Sequence, residues 1–196
     1  MTAQLILASG SAIRARILRD AGVSFEVRKP DVDERAVKKR MEGEPLEEVA
    51  QALADAKALA VAAPGVFVLG SDQILEHRGR LYDKPRSREE AAARLVALQG
   101  EAHTLINAVA IARDGAVLFR CLQRPTLHMR AMSRAEIDRY LERAGDEVLT
   151  SVGAYQVEAL GAHLFERIEG DYFSILGLSL FPVLGFLRAQ GFEFFR

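Results

Sequence analysis

Short continuous apolar runs alternate with stretches whose apolar positions recur at helical spacing. Leu5 to Ala8 is an apolar run bounded by Ser9-Gly10-Ser11, which predicts a strand followed by a turn. Ser11 is placed to cap a helix that carries Ile13, Ile17 and Leu18 and stops at Gly22. Phe25 to Val27 reads as a second strand, ended by Pro30, and the acidic loop Asp31-Val32-Asp33-Glu34 follows. Leu46 to Ala63 is alanine-rich with helical periodicity and is closed by Pro64-Gly65. Val66 to Leu69 suits a strand buried on both faces, leading straight into Gly70-Ser71-Asp72. Ile74 to Tyr82 predicts a hairpin turning at Arg78-Gly79. Ser87 with Glu90 has capping-box spacing and opens a helix to Leu98, with Gly100 behind it. His103 to Ala112 and Ala116 to Met129 read as long strands joined at Asp114-Gly115. Ser133 with Glu136 is a second capping box, opening a helix that ends near Ala144. A glycine-containing loop leads to Tyr155 and an apolar stretch around Leu164-Phe165, and a helix from Phe181 to Ala189 comes last. Helices alternate with strands at both ends and long strands fill the middle, which favours an α/β domain with a mixed sheet.

Composition narrows the picture. A chain of 196 residues fits one domain, spanning 1–196, with room for two lobes. Hydrophobic residues at 49% and charged residues at 27% allow a real core and argue against disorder. Lys+Arg at 26 against Asp+Glu at 27 leaves a formal net charge of −1. That balance argues against broad capture of a nucleic acid polymer or an anionic membrane, but leaves room for a local basic pocket. Cys121 is the single cysteine, so an internal disulfide and a multi-cysteine zinc site are excluded and a reducing compartment is the simplest setting. No run reaches the roughly 18 apolar residues of a membrane span. The segment from Met1 to Ala8 lacks a basic leader region, so it reads as the first strand of a cytoplasmic protein. His77, His103, His128 and His163 show no metal-ligand spacing, and Ser9 and Ser11 lack a Gly-x-Ser-x-Gly elbow. Cys121 reads as a buried small hydrophobe, and Phe192, Phe194 and Phe195 as core packing or a dimer contact.

Three features carry chemistry. The helix after Ser11 has Arg14, Arg16 and Arg19 and no acid before Asp20, although helix starts favour acids. Either this is a solvated basic face, or an anion such as phosphate sits there with Ser11 and Arg14 converging on it. Asp72 follows an apolar strand, where open α/β sheets place ligands, and fits a metal ligand, a base for water, or a turn-capping residue. Lys57 in an apolar helix, Lys84 before Pro85, and the Asp33-Glu34 pair suit phosphate or Mg²⁺ contacts, or simply solvated positions.

Taken in order, these segments resemble the Maf family of nucleoside triphosphate pyrophosphatases. The resemblance rests on Leu5-Ile6-Leu7-Ala8-Ser9-Gly10-Ser11 with Arg14, Asp31-Val32-Asp33-Glu34, Ala54-Asp55-Ala56-Lys57-Ala58, Gly70-Ser71-Asp72-Gln73, Lys84-Pro85, Gly153-Ala154-Tyr155, and Leu164-Phe165-Glu166-Arg167-Ile168-Glu169-Gly170. It implies an α/β enzyme with a mixed central sheet flanked by helices, two-lobed with a cleft, cytoplasmic and often dimeric. It implies hydrolysis of a nucleoside triphosphate to the monophosphate and pyrophosphate with a divalent metal cation, Mg²⁺ or Mn²⁺. By resemblance Asp72 is the catalytic carboxylate, as base, metal ligand or both. Ser11, Arg14, Lys57 and Lys84 match the phosphate site, and Glu34 is a further acid beside the metal.

The resemblance also bears on substrate. One subgroup, acting on dTTP and UTP, has Arg, Thr and Gln at three positions where this chain has Ile13, Gln73 and Glu158. The subgroup resembling 7-methyl-GTP pyrophosphatases has an aromatic residue, Gln and Glu, so Gln73 and Glu158 match it. A carboxylate suits guanine, whose N1–H and exocyclic amine are donors, and N7 methylation adds a positive charge that favours it further. The alternatives are a dTTP/UTP pyrophosphatase, or a nucleotide-binding regulator of septum formation with little turnover. Departures from the family pattern are Ser11-Ala12 for Ser-Pro, Arg16 for Glu, Asn107-Ala108-Val109 for Thr-Gly-Val, and Gly177-Leu178-Ser179-Leu180 for Gly-Leu-Pro-Leu.

Overall fold

Strands that are apolar on both faces form the parallel part of the sheet. In a computed structural model describing residues 4–195, β1 (Leu5–Ala8) and the first four residues of β3 (Phe67–His77) are buried at every position. They pair in parallel from Leu5↔Phe67 to Ala8↔Gly70. Met1 to Ala3, counted above with the amino-terminal segment, lie outside the described residues. β2 (Glu26–Val27) is short, exposed and parallel to β1. β4 (Arg80–Tyr82), β5 (Ala102–Arg113), β6 (Ala116–Gln123), β7 (Thr126–Met129) and β8 (Phe165–Glu169) add antiparallel pairings of β4 with β3, β6 and β7 with β5, and β8 with β7. The result is a mixed eight-stranded sheet, ordered β2-β1-β3-β5-β7-β8, with β4 and β6 as branches. Its helices are α1 (Ala12–Asp20), α2 (Glu34–Arg40), α3 (Leu46–Leu59), α4 (Arg88–Leu98), α5 (Arg134–Ala144), α6 (Tyr172–Leu176) and α7 (Leu180–Ala189). The α/β class with helices flanking a mixed sheet is the expected one.

The chain divides into two compact units. The first holds the segment through Asp72, Asn107–Gln123 and the part from Gly177 on; the second holds Gln73–Ile106 and Arg124–Leu176. In the first, α1 turns Ala15, Ile17 and Leu18 inward and ends in a Schellman motif: Gly22 N–H donates to Arg19 and Val23 N–H to Leu18, with Gly22 at φ +73°. In the second, Leu75, Leu95, Leu98, Leu105, Leu127 and Ile137 anchor one large apolar cluster. Ser133 and Glu136 close a reciprocal capping box on α5. At Ser87, by contrast, the Glu90 carboxylate accepts from the Arg86 N–H, so only half of the predicted box forms.

Four boundaries differ from the sequence expectation, each for a physical reason. The acidic loop becomes a helix start, because Asp33 accepts from the Ala36 N–H and Glu34 enters the first turn of α2. α3 stops at Leu59, since Val61 and Ala63 pack with Ile6, Ala8 and Val68 from a loop rather than from a helix face. The predicted strand from Ala116 to Met129 splits into β6 and β7 around Pro125, which has no N–H for the ladder. β3 runs on through Gly70-Ser71-Asp72, because tertiary partners hold those turn-prone residues extended. Cys121 is half-buried rather than buried, and Phe192 packs on Phe67 while Phe195 is exposed.

Candidate active site

Asp72 lies in the middle of a strand, not at its end, yet it keeps the position that matters. The parallel ladder with β1 stops at Gly70, so Asp72 stands just beyond the carboxyl edge of the parallel strands, where α/β sheets hold ligands. Gly70 brings its partner close. A Cβ there would meet the Ala54 carbonyl oxygen at 2.3 Å and the Ala58 nitrogen at 2.6 Å, so α3 presses directly on β3. Lys57, between those alanines in sequence, then reaches Asp72: Nζ donates to Oδ1 at 2.6 Å, with both residues buried. The same ammonium meets Glu34 Oε1 at 2.8 Å. One cation therefore gathers two carboxylates from two different helix–strand segments.

Arg14 is the second cation of this centre. Its Nε donates to the Gly177 carbonyl at 2.7 Å and its Nη1 to Ser9 Oγ at 3.2 Å. Burial pulls its pKa below the ordinary arginine value, and the charges of Asp72 and Glu34 pull it back up. Ser11 caps α1, accepting from the Arg14 N–H at 3.5 Å. Sequence reading set Ser9 aside as a nucleophile; its place here is to orient Arg14 and to accept from the Ser11 N–H at 3.2 Å. The Gly177 carbonyl also accepts from the buried Ser71 hydroxyl at 3.1 Å. A main-chain acceptor so far along the sequence carries no side-chain signature, which is why it went unread.

Of the predicted residues, the structure brings Arg14, Glu34, Lys57 and Asp72 into one electrostatic neighbourhood, with Ser11 and the half-buried Ile13 in the first turn of α1. Gln73, Lys84 and Glu158 belong to the second unit. There Gln73 Nε2 donates to the Ser174 and Ile175 carbonyls at 2.9 and 3.1 Å, leaving its oxygen as an acceptor. Lys84 is exposed beyond β4. Glu158 is exposed on the loop after Tyr155, which is anchored by Tyr140 on the Ala154 carbonyl and by Ser151 on both main-chain groups of Tyr155.

Among the described residues no three His, Cys, Asp or Glu side chains cluster as a complete metal cage. The donor set still fits a hard divalent cation. Asp72 and Glu34, each paired with Lys57 through one oxygen, are carboxylates of the kind Mg²⁺ takes, one or two at a time, with water and phosphate oxygens completing its shell.

Fold and centre together define an α/β protein in which the buried Asp72 and the exposed Glu34 share one lysine, with the pinned Arg14 in the same electrostatic neighbourhood. The family described as Maf-like protein matches residues 4–190. A nucleoside triphosphate pyrophosphatase of Nitrobacter hamburgensis is 50% identical, covering 95% of this chain and 94% of its own. A 7-methyl-GTP pyrophosphatase of Rhizobium etli is 46% identical, and one of Brucella abortus 44%, each over 97% of this chain and 98% of its own. The chain belongs to the Maf family.

Proposed function

We propose that the Asp72–Lys57–Glu34 centre and Arg14 carry out the hydrolysis of a nucleoside triphosphate to its monophosphate and pyrophosphate. The chain is a nucleoside triphosphate pyrophosphatase, the activity that its relatives' names state. Asp72 accepts a proton from water as the water oxygen bonds to the α-phosphorus. The bond from that phosphorus to the α,β-bridging oxygen breaks, and pyrophosphate leaves with the electron pair. Arg14, with Ser11, binds phosphate oxygens, and Lys57 adds its charge while holding Asp72 and Glu34 in place. Asp72 and Glu34 would hold a divalent cation, Mg²⁺ or Mn²⁺, which would supply charge neutralisation for the triphosphate. The observation that carries this reading is the pairing of a buried lysine with two carboxylates beside a pinned arginine.

For the base, Glu158 favours guanine, and a 7-methylguanine most, through its negative charge. Gln73, with its amide nitrogen already engaged, presents an acceptor. Full-length relatives named as 7-methyl-GTP pyrophosphatases support this choice over dTTP or UTP. The working compartment is the cytoplasmic nucleotide pool. The test is purified protein with Mg²⁺ or Mn²⁺ and a panel of nucleoside triphosphates including 7-methyl-GTP, scored for pyrophosphate against phosphate. Asp72→Asn is expected to lower kcat by about 10²–10⁴-fold; parent-like activity removes Asp72 as the base. Glu158→Gln is expected to narrow the preference for 7-methyl-GTP over UTP, and an unchanged ratio removes it as the base reader.

A further inference from the structure

Three buried polar residues around Asp72 have no part in the chemistry above: Ser71, Asn107 and Ser179. Ser179 is the N-cap residue of α7, yet its side chain makes no capping bond to that helix. A serine in that place normally accepts from the helix's own N–H groups. Here the hydroxyl instead donates to Asn107 Oδ1 at 2.7 Å. Asn107 in turn donates from Nδ2 to the main-chain carbonyl of Asp72 at 3.4 Å. At the other end of the same short segment, the Gly177 carbonyl accepts from Arg14 and from Ser71, the residue before Asp72. Asp72, Asn107 and Gly177 are moreover the residues at which their segments leave or enter the first unit.

We infer that Asn107 and Ser179 are positioning residues for the hydrolysis, acting through the Asp72 main chain. The segment 177–179 is a polar strap: one end holds Arg14, and the other, through Asn107, holds the strand at Asp72. Local helix stability is given up at Ser179 in favour of this tie, a pattern expected where function overrides local preference. Asn107 and Ser179 are both fully buried, so bulk water does not replace this contact when it is lost. The inference rests on the reading of Asp72 as the base.

The experiment compares Asn107→Leu, Ser179→Ala and Ser179→Thr with the parent and with Asp72→Asn, measuring kcat, KM and Tm on the best substrate of the panel. Asn107→Leu and Ser179→Ala are expected to lower kcat about tenfold or more with KM changed less than about twofold, since an orienting contact acts on the reacting geometry. Ser179→Thr keeps a hydroxyl and is expected to recover most of the lost kcat. Parent-like kcat in both Asn107→Leu and Ser179→Ala, with only Tm lowered, overturns the inference. So does Ser179→Thr falling as far as Ser179→Ala. If Asn107→Leu does not fold, the two Ser179 variants decide alone. An inactive Asp72→Asn beside fully active Asn107→Leu and Ser179→Ala leaves Asp72 as the base and removes only the strap. An active Asp72→Asn removes both.

Discussion

The two units arrange their buried polar groups differently. In the first, Ser9, Lys57, Ser71, Asp72, Asn107 and Ser179 are buried and bonded into one network around the charged centre. In the second, the buried polar groups are His77, His103 and Ser174, set in or beside a large apolar cluster. His103 meets the Tyr155 hydroxyl through Nε2 and leaves Nδ1 with no partner. Satisfied networks fix geometry, whereas apolar packing supplies stability without directional demands. The first unit is therefore the one that changes sharply when a single polar atom is removed, and the second the one that tolerates polar change but responds to volume and pH.

The largest break in that contrast is Lys57→Met. It leaves Asp72 buried without its cation, and loss of one partner from such a pair costs about 3–5 kcal/mol. A urea midpoint lowered accordingly, together with lost pyrophosphate release, is the expected result. Gly70→Ala comes next. The added methyl meets backbone of α3 that has no rotamer to change, so overpacking of about 1–3 kcal/mol is expected, with activity lost as Lys57 moves from Asp72.

A pH test probes the second unit. Burial, aided by the charges of His77 and His128, pushes the pKa of His103 down to about 3 from 6.5. The unfolded chain then binds a proton that the folded chain refuses, so this contribution is complete above pH 6.5 and fades as pH falls toward 3. Between pH 7 and 5 the loss is about 2 kcal/mol. Chemical denaturation of His103→Gln across that range is expected to show a flatter acid limb. Smallest is Ser133→Ala, which removes the α5 cap at a cost of about 1 kcal/mol while leaving kcat unchanged.

How much of this was legible in the sequence differs between the two regions as well. Strand β1, the cap at Ser11, the Arg78-Gly79 turn and the helix at Ser133 follow from local pattern, and all are present. Arg14 is readable as a cation at a helix start, where acids are favoured, Asp72 as an acid after an apolar strand, Lys57 as a charge in an apolar helix and Glu34 as part of an acidic segment. The strap was not readable. Asn107 and Ser179 stood out only as departures from the family pattern, and the structure shows them hydrogen-bonded to each other. No spacing rule connects positions so far apart. The role of Gly70 was not readable either, because composition does not distinguish a glycine needed for its torsion angle from one needed for close helix approach.

Arg14 carries one more implication. A free arginine on a surface must give up rotamer freedom, roughly 0.5–1.5 kcal/mol, before it can grip an incoming anion. This one is already clamped at Nε and Nη1 by the molecule itself. On the proposed function, a triphosphate arriving there would find its counter-charge in place, so more of the attraction would survive as affinity, and a lysine, lacking the planar fork, would be a poor replacement.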